Sequence, residues 1–381
     1  MHRNSLPLLL GSVALLVIVG LVILASTCLF SAHASEIDGY REAKRQAVWL
    51  VLGIGACWAA ASIDYRFWRR HVWLILGSVC FLLSLCFVPG IGQEVNGERR
   101  WIGAGFLQFQ PSELGKIAVV AFLAYWFSRH PDAGKHPLKG FLYPLAIVSV
   151  PVGLILFEVD MGTTAVLSAT TFLVLFVAGL DWKYLSGLAM TAVVAFIGML
   201  SYSPDRVERL MAFADPEKHR LGAGFQQWIS LMALGSGGFT GRGIGEGRLK
   251  MLYMPFAHTD FIFPMIGEEL GLVGTLLVVL AFVAIAVSGF AIAFHAPDRF
   301  GALFAVGIVG FLCFQAFLNI GVTTSILPNT GLTLPFVSYG GSSLLIGFFA
   351  VGILVNIYRQ GHSQEEEGVD WVRRRRVTPK L

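Results

Sequence analysis

The stretch LPLLLGSVALLVIVGLVILASTCLF, from Leu6 to Phe30, decides the fold class of this chain. Its 25 residues include no charged side chain. A helix needs about 20 apolar residues to cross the hydrocarbon core of a membrane, whereas the core of a secretory signal has about 7–15. The overlapping LFSAHASE resembles a signal peptidase site, with Ala32 and Ala34 as the small residues. The length of the apolar run favours a retained transmembrane helix.

The rest of the chain has a membrane protein's composition. Of 381 residues, 55% are hydrophobic and 14% are charged, whereas soluble domains carry about 25% charged residues. Long apolar runs between short polar segments predict an all-α polytopic membrane protein with about ten transmembrane helices. We place these helices at 7–30, 47–63, 72–88, 111–127, 141–157, 163–180, 184–201, 263–294, 300–322 and 341–358. Residues 201–262 then form a large extracytoplasmic loop between helices 7 and 8.

The distribution of lysine and arginine predicts the orientation. These residues are concentrated in the short segments that lie on the same side as the N-terminus, and short loops rich in Lys and Arg stay in the cytoplasm. Both termini are therefore predicted to be cytoplasmic. Residues 1–360 form one membrane domain, and residues 361–381 are predicted to be a disordered tail. The arginines at 373–376 either anchor the topology or bind anionic lipid headgroups or cytoplasmic division proteins.

The first polar segment predicted to face outward precedes and begins the fourth helix. In QPSELGK, Glu113 and Lys116 are three residues apart and share one helix face. A charged pair inside a membrane is costly and usually marks a functional site. A structural pair that locks two helices together is the alternative. Arg99 and Arg100 lie just upstream, with the same outward access.

The long loop contains a glycine-rich segment. Glycine occupies seven of the thirteen positions from 235 to 247, with Arg242 among them and Arg248 and Lys250 just after. Glycine-rich backbone next to cations favours a phosphate cradle, and a flexible loop is the alternative. The segment follows no predicted strand and does not fit the dinucleotide fingerprint, and the chain has no Walker A motif, so an ATP or NAD site is not expected.

Carboxylates lie where this loop enters the membrane, in MPFAHTDFIFPMIGEELG. Asp260 stands at the boundary between water and lipid, and Glu268 and Glu269 follow about two helical turns later. Partial desolvation raises the pKa of a carboxyl group and makes it a better base near neutral pH. The alternative for Asp260 is an N-cap of the eighth helix. Asp160, in FEVDMGTT, is equally compatible with turn chemistry and with a site.

The last unusual segment is NIGVTTSILPNTGLTLPFVSYGGSSLL, residues 319–345. Prolines and glycines interrupt the apolar pattern, and irregular backbone at membrane depth is tolerated only inside protein or along a cavity. These segments together predict an outward-opening cavity with cations for phosphate and carboxylates for proton transfer. The ligand that fits is a lipid-linked phosphate or pyrophosphate.

At these motifs the chain resembles the SEDS family (shape, elongation, division and sporulation), bacterial membrane proteins that polymerise peptidoglycan. The resemblance covers nearly the whole chain and is closer to the cell-division members than to the cell-elongation members. It rests on NGERRWI at 96–102, QPSELGK at 110–116, DMGT at 160–163, GFQQWISLMALGSGGFTGRGIGEG at 224–247, HTDFIFPMIGEELG at 258–271 and GLTLPFVSYGGSSLL at 331–345.

The resemblance implies a peptidoglycan glycosyltransferase that polymerises lipid II. The undecaprenyl-pyrophosphate-linked glycan is the donor, the 4-hydroxyl of incoming lipid II is the acceptor, and the transfer inverts the anomeric centre. The family's essential aspartate corresponds to Asp260, the implied general base. Lys116, held by Glu113, is the first choice to stabilise the leaving pyrophosphate. Further residues expected to bind substrate or pyrophosphate are Arg99, Arg100, Asp160, Arg242, Lys250 and Ser338, and those expected to support the site are Gln226, His258, Glu268 and Glu269.

The family further implies the protein's setting and partners. We expect a class B penicillin-binding protein that crosslinks the new glycan, other division proteins, membrane lipids and no nucleic acid. The expected location is the bacterial cytoplasmic membrane at the division septum, with the active site facing outward. No cofactor is certain, and a divalent cation, Mg or Mn, is left open.

The chain departs from the family's usual residues at three positions, and three other functions are alternatives to this interpretation. Phe256 stands where relatives often have Glu, Gly247 replaces a common Ser, and Val159 replaces the usual Pro before Asp160. The rival functions are a lipid II flippase, an elongation polymerase and a non-catalytic scaffold. A flippase needs polar groups toward the cytoplasm as well, whereas here they cluster on the outer half.

Overall fold

The structure is a computed structural model that describes residues 2–34, 41–95, 98–104, 107–201, 204–222, 224–249 and 259–377. Within these ranges the chain forms helices and one small sheet. The helices are α1 (His2–Ala34), α2 (Arg41–Ser62), α3 (Arg66–Arg70), α4 (Val72–Leu85), α5 (Pro111–Arg129), α6 (Tyr143–Phe157), α7 (Met161–Val177), α8 (Trp182–Ser201), α9 (Pro204–Ala214), α10 (Phe225–Gly237), α11 (Ile262–Phe294), α12 (Arg299–Thr323) and α13 (Gly341–Val377).

The ten predicted transmembrane helices each coincide with one helix, namely α1, α2, α4 to α8 and α11 to α13. Among the described residues, five helical stretches are long and apolar enough to cross a membrane by themselves, and α4 and α7 are shorter apolar helices. The predicted all-α polytopic membrane fold is therefore confirmed.

A three-stranded antiparallel sheet before α5 was not predicted. It comprises β1 (Gly92–Val95), β2 (Glu98–Ala104) and β3 (Leu107–Phe109), in the order β1-β2-β3. The sequence carries a signal for it, because the dipeptide Asn-Gly, typical of two-residue hairpin turns, stands between the residues of β1 and β2. These strands are too short for their apolar pattern to be noticed next to membrane helices.

The core of the bundle is α12, which packs against α5, α7 and α11. Gly307 lets α12 approach α5 closely, since a Cβ atom at this position would overlap the side chain of Val120. Small residues are typical of such close helix contacts in membranes. The first helices pack on late ones, with α1 against α11 and α2 against α13.

The longest apolar stretch is not one straight helix. Gly271 interrupts α11 with φ 67° and ψ −161°, a conformation in the left-handed half of the Ramachandran plot that suits glycine. This break separates the first residues of α11 from the membrane-length remainder, as expected for a stretch too long for one perpendicular crossing.

The long loop and the tail contain more helix than the sequence suggests. Helices α9 and α10 lie within the loop predicted at 201–262. Helix α13 continues to Val377, so the structure has helix over most of the segment for which we predict disorder.

Candidate active site

Asp260 lies two residues before the start of α11, and its side chain is partly buried. The N-cap position of α11 belongs to Phe261, so Asp260 is not the cap that the alternative interpretation required. Burial raises the pKa of Asp260 to about 6, while Arg100 lowers it and Asp160 raises it. The structure thus brings these three predicted residues close enough to interact, and it leaves Asp260 with the properties of a base near neutral pH.

Asp160 is both a helix cap and a member of this charged group. It is buried and precedes α7, where its Oδ1 accepts a hydrogen bond from the Thr163 amide at 2.9 Å. Its Oδ2 accepts from Gln110 Nε2 at 2.9 Å. The guanidinium of Arg100 lies 3.9 Å from Oδ1. The turn interpretation of Asp160 is confirmed by its N-cap hydrogen bond, and its role in a site stays a prediction that the contact with Arg100 permits.

The turn before α7 has an unusual backbone. Val159 has φ 63°, which proline cannot adopt because its ring fixes φ near −65°. The Val159 carbonyl accepts a hydrogen bond from Arg100 Nη2 at 3.3 Å. The replacement of the family's usual Pro by Val159 is therefore compatible with a turn that offers Arg100 a carbonyl as well as the Asp160 carboxylate.

Glu158 was missed by the sequence interpretation, although it lies in the quoted FEVDMGTT. Its side chain is buried, and neither carboxyl oxygen has a nitrogen or oxygen hydrogen-bond partner within the described ranges. Burial raises the pKa of Glu158 to about 8; the Cys86 thiol next to it lowers the pKa, Asp160 raises it and Arg100 lowers it. A second carboxyl group, mostly protonated at neutral pH, therefore lies beside the Arg100–Asp160 pair.

Lys116 and Glu113 form the predicted pair, with Nζ 2.9 Å from Oε2. Lys116 is only 1% exposed. Its ammonium group also donates to Gln315 Oε1 at 2.6 Å and lies 5.6 Å from the centre of the Phe311 ring. The lysine is thus enclosed and fully engaged. The expected role of Lys116 in stabilising the leaving pyrophosphate stays a prediction, because these contacts show only that its ammonium group is bound within the protein.

The glycine-rich segment does not form an open phosphate cradle. The amides of Arg242 and Gly243 donate to the backbone carbonyls of Glu268 and Glu269, at 2.9 and 3.1 Å. The Gly245 amide donates to a Glu269 carboxylate oxygen at 3.0 Å.

Further along the segment, the Arg248 amide donates to a Glu268 carboxylate oxygen at 2.8 Å. The amides expected to bind phosphate are therefore occupied by two buried glutamates of α11. Glu268 and Glu269 thus anchor the glycine-rich segment to the start of α11 through hydrogen bonds.

The remaining predicted cations have exposed side chains with other partners or lie outside the described residues. Arg99 is exposed and pairs with Glu94 at 3.3 Å. Arg242 is exposed, and its Nε donates to the Ser236 carbonyl at 3.3 Å. The predictions for Lys250 and His258 fall on residues outside the described ranges.

Two predicted polar residues belong to the segment between α12 and α13. Ser338 is buried, and its hydroxyl oxygen accepts from the Leu334 amide at 2.8 Å within the loop, so its expected role in substrate binding stays a prediction. Gln226 accepts from Asn329 Nδ2 at 3.0 Å and thereby ties α10 to this loop, as a supporting residue would.

Within the described ranges, no cluster of three or more His, Cys, Asp or Glu side chains is arranged to hold a metal ion. The divalent cation stays an untested expectation.

Comparison with known proteins places this site in a family context. The family model described as "Cell cycle protein", of FtsW, RodA and SpoVE, matches residues 7–363. A probable peptidoglycan glycosyltransferase FtsW of Geobacter sulfurreducens is 40% identical and covers 93% of this chain and 95% of its own. Stage V sporulation protein E of Bacillus subtilis is 38% identical, over 94% of this chain and 98% of its own.

Solved structures have the same fold. A chain in a structure of a peptidoglycan synthase complex that coordinates polymerization and crosslinking superposes with a TM-score of 0.77 at 31% identity, over 93% of this chain and 97% of its own. The rod shape determining protein RodA of Thermus thermophilus gives a TM-score of 0.67 at 28% identity, over 93% of this chain and 96% of its own.

Proposed function

The chain belongs to the FtsW, RodA and SpoVE family of cell cycle proteins, and from this premise we propose how it acts as a peptidoglycan glycosyltransferase of the multi-pass membrane class. Relatives that share 37–40% of its sequence over most of its length include proteins named as probable peptidoglycan glycosyltransferases FtsW. The reaction proposed here is therefore the polymerisation of lipid II into glycan strands during cell division.

In this reaction Asp260 is the general base. The acceptor's 4-hydroxyl oxygen attacks the anomeric carbon of the pyrophosphate-linked glycan, and its proton passes to the Asp260 carboxylate. The bond from the anomeric carbon to the pyrophosphate oxygen breaks, and the electron pair leaves with undecaprenyl pyrophosphate. The observation that supports this role is the partly buried carboxylate with a raised pKa next to Arg100 and Asp160. General-base assistance contributes about 10²- to 10⁴-fold in rate.

Arg100 is the cation that we assign to the leaving pyrophosphate. Among the described residues it is the basic group that lowers the pKa of Asp260, and its side chain is 18% exposed. The Val159 carbonyl and the Asp160 carboxylate hold its guanidinium in place. A preorganised cation at a developing negative charge is one of the strongest sources of catalysis. With Arg100 at the leaving group, we assign Lys116 to the contacts that it makes with Glu113 and Gln315 inside the protein.

The setting follows from the relatives and from the charge distribution. One structural relative is a chain of a peptidoglycan synthase complex that joins polymerization to crosslinking. We infer a class B penicillin-binding protein as the partner that crosslinks the product. The excess of Lys and Arg on one side supports cytoplasmic termini and an outward-facing Asp260. The likeness to FtsW proteins supports a location at the septum.

The test is polymerisation of labelled lipid II by the purified protein, with and without its class B partner. Wild type is compared with Asp260→Asn and with Asp132→Asn, whose aspartate is exposed in the segment after α5. Polymer from wild type and Asp132→Asn, with none from folded Asp260→Asn, supports the proposal.

Two other outcomes contradict it. Polymer from Asp260→Asn removes this residue from the mechanism. A wild-type protein that makes no polymer with its partner, but moves labelled lipid II across vesicle membranes, is a flippase.

A further inference from the structure

Helix α12 carries two buried side-chain amides that the mechanism has not used. Gln315 is 1% exposed and Asn319 is 2% exposed. They are four residues apart, so they lie on one face of the helix. A buried amide that is not fully hydrogen-bonded destabilises a protein, and the contacts of these two are therefore informative.

Asn319 holds the backbone at Asp260. Its Nδ2 donates to the Asp260 carbonyl at 2.8 Å and to the Leu332 carbonyl at 2.6 Å. Because both contacts are acceptors, the NH₂ group of the amide must face them. Its Oδ1 is buried and has no hydrogen-bond partner within the described ranges, so the contacts that fix the orientation are the two donated bonds.

Gln315 holds the next residue of the same loop. Its Nε2 donates to the Thr333 carbonyl at 3.0 Å, and Oγ atoms of Thr333 and Ser343 lie 3.3 Å away. Its Oε1 accepts from Lys116 at 2.6 Å. This one amide therefore connects the buried Lys116–Glu113 pair of α5 to the loop before α13.

The loop held in this way passes beside the Asp260 carboxylate. Leu332 and Thr333, whose carbonyls the two amides bind, directly follow Gly331. A Cβ atom at Gly331 would lie 3.7 Å from Asp260 Oδ2. Asn319 thus contacts both the backbone of the proposed base and the chain that flanks its side chain.

We propose that Asn319 and Gln315 are positioning residues for glycosyl transfer: Asn319 fixes Asp260 against the loop at 331–333, and Gln315 ties that loop to the Lys116–Glu113 pair. This inference rests on the proposed role of Asp260. Neither amide needs to touch the substrate. A misplacement of about 1 Å can cost about 10²-fold in rate, so loss of either link should lower kcat.

The test compares Asn319→Leu with Asn356→Leu in the full-length protein with its class B partner. Asn356 is a matched control, since it is buried in α13, donates to the Ala61 carbonyl at 2.9 Å and accepts from the Tyr65 amide at 2.9 Å. Both substitutions keep the number and branching of the side-chain heavy atoms, enlarge the side chain to the same extent, and remove buried hydrogen bonds to backbone. The measurements are kcat, KM for lipid II, the pH profile of polymerisation and the melting temperature.

We expect Asn319→Leu to lower kcat by about 10²-fold with KM unchanged. The acid limb of its pH profile should move to lower pH, because a loosened Asp260 is better hydrated, while Arg100 and Asp160 remain its charged neighbours. Asn356→Leu should lower the melting temperature but leave kcat and the acid limb unchanged. Wild-type kcat in Asn319→Leu, or a loss without movement of the acid limb, would overturn the proposal.

Two further variants keep the test decisive. If Asn319→Leu does not fold, Gln315→Glu replaces it, since this change keeps the acceptor for Lys116 and loses the donor to Thr333; unchanged kcat there contradicts the proposal. Asp260→Asn distinguishes failure of the proposed mechanism from failure of the positioning role alone. An active Asp260→Asn refutes the proposed mechanism. An inactive one, together with an Asn319→Leu that behaves like Asn356→Leu, refutes the positioning role alone.

Discussion

The guanidinium of Arg100 lies 3.9 Å from the Asp160 carboxylate, whereas its neighbour Arg99 pairs with the exposed Glu94. Successive residues of a β-strand point to opposite faces of the sheet. The short sheet before α5 therefore directs one of two adjacent arginines toward Asp260 and the other toward solvent.

This difference predicts unequal effects of the same substitution. Arg100→Gln should lower the polymerisation rate by about 10²- to 10³-fold, the range for loss of a donor that stabilises transition-state charge. Arg99→Gln removes an exposed pair worth about 0.2–1 kcal/mol and should stay close to wild type. Rates with labelled lipid II test this, and equal losses in both variants would contradict the assignment of Arg100.

The pH profile of the wild-type protein should reflect Asp260. A general base works only when ionised, and burial raises the pKa of Asp260 to about 6. Polymerisation should therefore decrease about tenfold per pH unit below pH 6 and level off above it. An acid limb centred near pH 4, the ordinary range for an aspartate, would show that the working carboxylate is not desolvated.

Glu158 should affect stability, with a defined sign. Its pKa is raised to about 8 in the folded protein from an ordinary value of 4.5. Between these values the folded state holds a proton that the unfolded state has released, so the free energy of unfolding decreases as pH rises. Glu158→Gln mimics the protonated form and should melt at a higher temperature than wild type.

That difference in melting temperature should grow up to pH 8 and then stay constant. Melting curves of the purified variants from pH 5 to pH 9 measure it, and parallel curves for the two proteins would contradict the raised pKa.

Lys116 and Glu113 should behave as a structural pair. Removal of one partner leaves a buried charge without its counterion and costs about 3–5 kcal/mol. Lys116→Met and Glu113→Gln should each destabilise the protein, and the double variant should recover most of the loss. Because the double variant also loses the hydrogen bond from Lys116 to Gln315, we expect its kcat to decrease by about 10²-fold while measurable polymerisation remains. A stable but inactive double variant would return Lys116 to the reaction itself.

The glycine-rich segment offers a pair of matched alanine substitutions. Gly241 has φ 78°, and a Cβ atom there would overlap the backbone of Glu269 and Gly271. Gly241→Ala should therefore detach the segment and increase hydrogen exchange over residues 241–249. Gly235, in α10, has nothing within 4 Å of its Cβ position in the described structure, and Gly235→Ala should leave exchange unchanged.

Sequence patterns correctly predicted the features that depend on residues close together in the chain. Apolar runs placed the ten long helices, and the three-residue spacing of Glu113 and Lys116 predicted their contact. The patterns failed where the partner is distant in the chain. The amides near Gly245 resembled a phosphate site because nothing local shows that Glu269 accepts from them. Gln315 and Asn319 went unnoticed because single amides in an apolar helix acquire meaning only from the loop that they contact.

Helix α1 makes a contact of this distant kind with α11. The Ser26 hydroxyl donates to the Glu269 carboxylate at 2.8 Å, across a separation of 243 residues. At a synthesis rate of about 5–20 residues per second, Glu269 emerges from the ribosome roughly 12–50 s after Ser26. The first helix must therefore remain in the bilayer for that interval on its own hydrophobicity, with its serine unsatisfied by the glutamate. The contacts of α1 with α11 and of α2 with α13 can form only after α11 and α13 have been synthesised. The first two helices therefore enter the membrane long before their packing partners exist.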